Sequence, residues 1–125
     1  IEISTAIRMA RNEIYPCVIK YVTNISQMIN SVREALKEEE FIQFDKEHLI
    51  KVINFKNQLK NCITDLNEGL KVATAIADEY ERACYYNNEL VPMLNQMRYV
   101  VDSLELLVDK TVWPIPTYYD LLFRL

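Results

Sequence analysis

Apolar residues recur along most of this chain in steps of three and four. In the first third they fall at Ile3, Ile7, Ala10, Ile14, Cys17, Tyr21, Ile25, Met28, Val32 and Ala35, the seam of an amphipathic helix packed against other helices. Such a helix, reaching Leu36, spans about 50 Å at 1.5 Å per residue. The pattern dissolves in KEEEFIQFD (37–45), an acidic stretch carrying Phe41 and Phe44. Asp45 then suits an N-cap, with Glu47 in the electropositive first turn. A second seam runs Leu49, Val52, Leu59, Ile63, Leu66, Leu70, Ala73 and on toward Ala77, Tyr80 and Cys84; a third runs Leu90, Leu94, Met97, Val101, Leu104 and Val108.

The corner between the second and third seams has several readings. Gly69 suits a C-cap, Asp78 with Glu81 a capping pair, and Asn87–Asn88 a turn. A second helix continuing to Tyr86 also fits. An internal echo bears on the choice: ARNEIYPCVIKYV (10–22) resembles YNNELVPMLNQMRYV (86–100), each carrying asparagine, glutamate, an aliphatic residue and then proline. Pro16 and Pro92 sit inside strong helical periodicity, where proline removes a hydrogen bond and clashes one turn back. With a corner near Asp78, both are candidate helix bends about four turns from their helix starts. The alternative is that each proline opens a new helix in its first turn.

The expected fold is all-α: an antiparallel up-down-up bundle of three long helices, or four if the second corner adds one, over residues 1–110. Residues 111–125 form an extended Pro/aromatic tail. Trp113, Pro114 and Pro116 forbid a regular helix there, while TYYDLLFRL (117–125) has room for a short helical turn. The apolar load of this tail invites burial against something. Its candidate docking residues are Trp113, Pro114, Pro116, Tyr118, Leu121, Leu122 and Phe123.

Composition supports helices. Gly69 is the single glycine among 125 residues, and half the residues are hydrophobic; a turn-rich sheet protein needs many more glycines for positive φ. The net charge is −4 with bases dispersed among acids, which leaves no basic stripe for nucleic acid. No apolar run approaches the roughly 20 residues of a membrane span, and the N-terminus has no signal-peptide core. The first residue is isoleucine rather than methionine, so a piece cut from a longer chain is expected. Cys17, Cys62 and Cys84 are odd in number and far apart, which reads as three reduced thiols in a cytoplasmic protein rather than a disulfide or zinc framework.

Reactive chemistry is hard to find. His48 is the only histidine, three residues after Asp45; that spacing occurs in di-metal bundles, but those need a second histidine motif, so a surface histidine is expected. Ser-His-Asp or Cys-His catalysis would hang on the same residue. One glycine rules out a phosphate-cradling loop. Glu38, Glu39 and Glu40 read as a solvated corner rather than a cation site. Tyr80, Tyr85 and Tyr86 read as half-buried packing, with a ligand groove as the alternative. No catalytic, cofactor-binding or metal-binding residue is assigned.

Three segments together resemble the C-terminal region of type III glutamine synthetases, the large bacterial form of that enzyme. The first is similar to that family's Ala-Arg-x-x-Ile-x-Pro-Ala-Val-x-x-Tyr pattern at Ala10, Arg11, Ile14, Pro16, Val18 and Tyr21, with Cys17 in place of alanine. The second is NELVPMLNQMRYVVDSLELLVD (88–109). The third resembles Trp-Pro-x-Pro-Thr-Tyr followed by Leu-Leu-Phe, at Trp113, Pro114, Pro116, Thr117, Tyr118, Leu121, Leu122 and Phe123, with Tyr119 where a smaller residue is usual. The resemblance implies a parent ligase that condenses glutamate and ammonia with ATP and Mg (or Mn). It implies a large homo-oligomer whose other subunits and remaining chain are the partners of this segment. It places the catalytic motifs upstream, so this segment is expected to be inactive alone and to serve structure or assembly. The rival reading is a stand-alone helical module that binds a partner helix or peptide.

Overall fold

The computed structural model describes residues 3–108 and Trp113. Among them the chain forms helices and no strands, arranged as three rods. The first rod, residues 3–36, comprises α1 (Ile3–Met9), a π-turn (Ala10–Ile14) and α2 (Tyr15–Leu36). The second is α3 (Gln43–Ala75), and the third, residues 79–107, comprises α4 (Glu79–Tyr85), a second π-turn (Tyr86–Leu90) and α5 (Val91–Leu107). Two tight corners join them up-down-up, and α3 is the central member against which both outer rods pack. This is the expected all-α bundle. The tail residues Pro114, Pro116, Tyr118, Leu121, Leu122 and Phe123 lie outside the described residues.

Both corners are built without glycine. At the first, Lys37 takes the left-handed conformation (φ 55°) and its N–H donates to the Arg33 carbonyl. A short 3-10 turn, Glu39–Ile42, then leads into α3, which begins two residues before Asp45. Asp45 is therefore a first-turn acid rather than the expected cap; it still faces the positive end of the helix dipole. At the second corner the chain extends through 76–78. The Asp78 carboxylate accepts from the Glu81 N–H at 2.9 Å, the N-cap bond that satisfies an orphan donor. Arg82 Nη1 reaches back to the Ile76 carbonyl at 3.0 Å. The capping pair Asp78/Glu81 thus sets the corner, and neither Gly69, Asn87–Asn88 nor a continuous helix to Tyr86 does.

The echo between the first and third rods is structural. In each repeat the residue just before proline donates its N–H five residues back: Tyr15 to Ala10, and Val91 to Tyr86. A proline cannot donate, and its ring collides with the carbonyl one turn behind. Widening the preceding turn by one residue moves that carbonyl away, which is how a π-turn carries a helix past the obstacle. The backbone stays right-handed helical through both junctions, and each proline sits in the first turn of the α-helix that follows.

Ile3, Ile7, Ala10, Ile14, Cys17 and Val18 of the first rod meet Val52, Leu59, Ile63, Leu66 and Ala73 of the second and Leu90, Met97, Val100, Leu104 and Val108 of the third in one core. Along the third seam Leu90, Met97, Leu104 and Val108 are buried as expected and Leu94 and Val101 are half-buried against the core, with Val100 an additional fully buried position. Gly69 lies buried inside α3, not at its end. A Cβ there would stand 2.7 Å from Leu90 Cδ2 and 3.2 Å from Met93 Sδ. The single glycine is spent on the approach of the third rod, at the level of its π-turn.

Candidate functional site

Of the polar side chains that the sequence singles out, His48 and the acidic run Glu38–Glu40 lie near the first corner. His48 is half-buried rather than on the surface. Its Nε2 shares a 2.8 Å hydrogen bond with the Tyr21 hydroxyl, and the two rings meet edge to face with centroids 5.9 Å apart. The pair ties α2 to α3, a structural task that corrects the surface reading of His48. Tyr21 is a seam residue and His48 precedes the seam residue Leu49. The seam position of Tyr21 is legible in the sequence; that it faces His48, 27 residues away, is not.

The acidic run divides by function. Glu39 Oε1 accepts from Arg33 Nε at 2.8 Å, and its Oε2 lies 3.3 Å from Lys46 Nζ. The hydrogen bond from Arg33, and then that from Lys46, holds the Glu39 carboxyl below the usual carboxylate range. Glu38 and Glu40 stand exposed beside it. The corner is clamped by one acid between two bases, an arrangement that neutralises charge rather than concentrating it for a cation. Among the described residues no three His, Cys, Asp or Glu side chains gather as a metal site.

Burial raises the thiol pKa of Cys17 and of Cys62, so both stay protonated at neutral pH and are poor nucleophiles. Tyr80 stands in solvent at 78% exposure while Tyr85 packs on the core; the tyrosine cluster does not converge on a groove. Shallow depressions occur elsewhere. One of about 370 Å³ is lined by Asn67, Leu70, Lys71, Thr74 and Ala75. Another, of about 280 Å³, lies between α2 and α3 and includes Ile29, Leu49 and Ile50 with Arg33 and Lys46. Neither brings a nucleophile and a base together.

Of the candidate docking residues, Trp113 is described: it is half-buried and packs against the core, and its buried indole Nε1 has no acceptor. Large apolar side chains are also bare around the first corner, with Leu36 52%, Phe41 55% and Phe44 80% exposed. No described helix is long and apolar enough to cross a membrane. What the arrangement offers is surface for contact.

No family model and no solved structure matches the chain. Curated proteins do. It is 31% identical over 118 residues to a glutamine synthetase of Bacteroides fragilis (strain YCH46), covering 92% of this chain and 16% of that protein. It is 25% identical over 126 positions to the type-3 glutamine synthetase of Dictyostelium discoideum, covering 98% of this chain and 17% of that protein. Over most of its length the chain is therefore related to glutamine synthetases, type-3 included, and it spans about a sixth of the length of these relatives.

Proposed function

With that kinship as premise, we propose that this chain is the C-terminal helical domain of a type III glutamine synthetase and that its role is structural, in assembly. The observation that carries the reading is a similarity covering nearly all of this chain and only 16% of the relative. The parent condenses glutamate and ammonia to glutamine with ATP. The ATP and the Mg or Mn ions of that reaction are assigned to the remainder of the parent chain; one glycine in this segment leaves no room for a glycine-rich phosphate loop. The partners of the domain are that remainder and the other subunits of a large cytoplasmic homo-oligomer. The bare apolar side chains near the first corner suit such contacts better than a free monomer.

Deleting this segment from the full-length parent tests the role. The expected result is a smaller particle by light scattering and a lower melting temperature; an unchanged mass and melting temperature would refute an assembly role. Calorimetry of the 125-residue chain with ATP, glutamate or glutamine is expected to show no heat of binding, and saturable binding of any of them would move the chain from scaffold to site.

A further inference from the structure

The first corner turns one apolar side chain inward and three outward. Ile42 is fully buried, while Leu36, Phe41 and Phe44, all within nine residues of one another, are bare. The same stretch concentrates the charge of the chain. Residues 34–47 hold six acidic and two basic side chains, a net −4, whereas the other 111 residues hold twelve of each and are neutral. Glu39 is taken up within the corner, between Arg33 and Lys46. Glu38 and Glu40 are exposed on either side of it, and among the described residues no ion pair or hydrogen bond holds either carboxylate. Within α3, Glu47 follows Phe44 by three residues and so shares its face; it accepts only from the neutral Gln43 amide. These acids do not converge on a point, as a metal ion would require. They border apolar surface.

We infer that the first corner docks a basic amphipathic segment, one that sets arginine or lysine beside apolar residues, and that this segment lies in the parent enzyme outside these 125 residues. The inference rests on the structural role proposed above and names the chemistry of its partner. Apolar groups of such a segment cover Phe41 and Phe44, and its cations meet Glu38, Glu40 and Glu47. An arginine also stacks favourably on an exposed phenyl face. Area removed from water supplies the affinity, and the complementary charge supplies selectivity and speed of encounter. Other occupants fit less well. A purely apolar segment would draw the acids out of water without partners, and an acidic one would be repelled. Two copies meeting corner to corner would each bring the same net −4. Elsewhere, Tyr99 and Leu106 on the third rod are exposed too, but in the neutral part of the chain.

Fluorescence anisotropy with two synthetic amphipathic peptides tests the surface. Both carry the same leucine pattern, with lysine at every polar position of one and glutamate at every polar position of the other. The 125-residue chain is expected to bind the lysine peptide about ten-fold more tightly than the glutamate peptide. Phe44→Ser, and separately Glu38→Gln with Glu40→Gln, are expected to weaken that binding about five-fold each, and Tyr99→Ser to leave it unchanged. Equal affinity for the two peptides overturns the proposal. So does binding that ignores Phe44→Ser, or that falls as far with Tyr99→Ser. Self-association of the chain that Phe44→Ser abolishes would make a second copy the occupant and overturn it as well. In the full-length parent, Glu38→Lys with Glu40→Lys is expected to give the smaller particle that deletion of the segment gives. If deletion shrinks the particle and charge reversal does not, this inference fails while the assembly role stands; if deletion changes nothing, the assembly role itself fails. All the substituted side chains are exposed, and circular dichroism on each variant confirms that the helices persist.

Discussion

The two ends of the bundle are held by different physics. At the Gly69 end three rods pack side chain to side chain, with Leu59, Leu66 and Leu90 fully buried and a glycine admitting Leu90 at close range. At the Glu39 end the described structure has two rods, where a smaller buried set, Ile29 and Ile42, is joined by a tyrosine–histidine bond and an Arg33–Glu39–Lys46 clamp, with Phe41 and Phe44 bare. Apolar packing is non-directional and grows with buried area. Hydrogen bonds and exposed ion pairs fix geometry and contribute little net stability. One end therefore makes the domain stable, and the other leaves surface available for contact.

Substitutions at the two ends should separate accordingly. The largest loss is expected from Leu66→Ala, about 3 kcal/mol by denaturant titration, because a fully buried leucine leaves a cavity; a loss under about 1 kcal/mol would deny the three-rod end its role. Gly69→Val is expected next, at about 2 kcal/mol, as its branches meet Leu90 and Met93. Gly69→Ala should cost less, since the better helix propensity of alanine offsets about 1 kcal/mol of the crowding. If Gly69→Ala instead raised the melting temperature, the close approach would be slack.

At the two-rod end, Tyr21→Phe should cost about 1 kcal/mol through the lost bond to His48, and a silent substitution would make that bond ornamental. Glu39→Gln should have the smallest effect, and salt should erase it. The sign follows from the lowered carboxyl pKa: the contribution of Glu39 is present above the unfolded carboxylate pKa and is lost as pH falls through the lower folded value. A stability difference between wild type and Glu39→Gln that persisted below that range, or in high salt, would contradict the clamp.

Much of this was legible in the residues. Steps of three and four placed the three rods, and Asp78 with Glu81 marked the second corner, because helical periodicity and capping are local. The repeat around Pro16 and Pro92 was equally plain, though its form as paired π-turns was not: proline dictates that one hydrogen bond is missing, and the surrounding packing decides how the backbone absorbs the loss. Asp45 is not the cap its position suggests because the 3-10 turn Glu39–Ile42 runs straight into α3, which therefore starts at Gln43 with no side-chain cap. The local sequence around His48 predicts a surface histidine, because nothing near it in the chain shows that Tyr21 faces it.

By itself, then, the sequence determined the helices, their order and, through similarity over most of its length, the kinship. The helices and their order depend on residues close together in the chain. Tertiary structure alone decided the use of Gly69, the bond between Tyr21 and His48, and the level at which the third rod meets α3. Those are distances between residues far apart in sequence, set by how three packed rods slide to bury the most apolar surface, and no local pattern encodes that register.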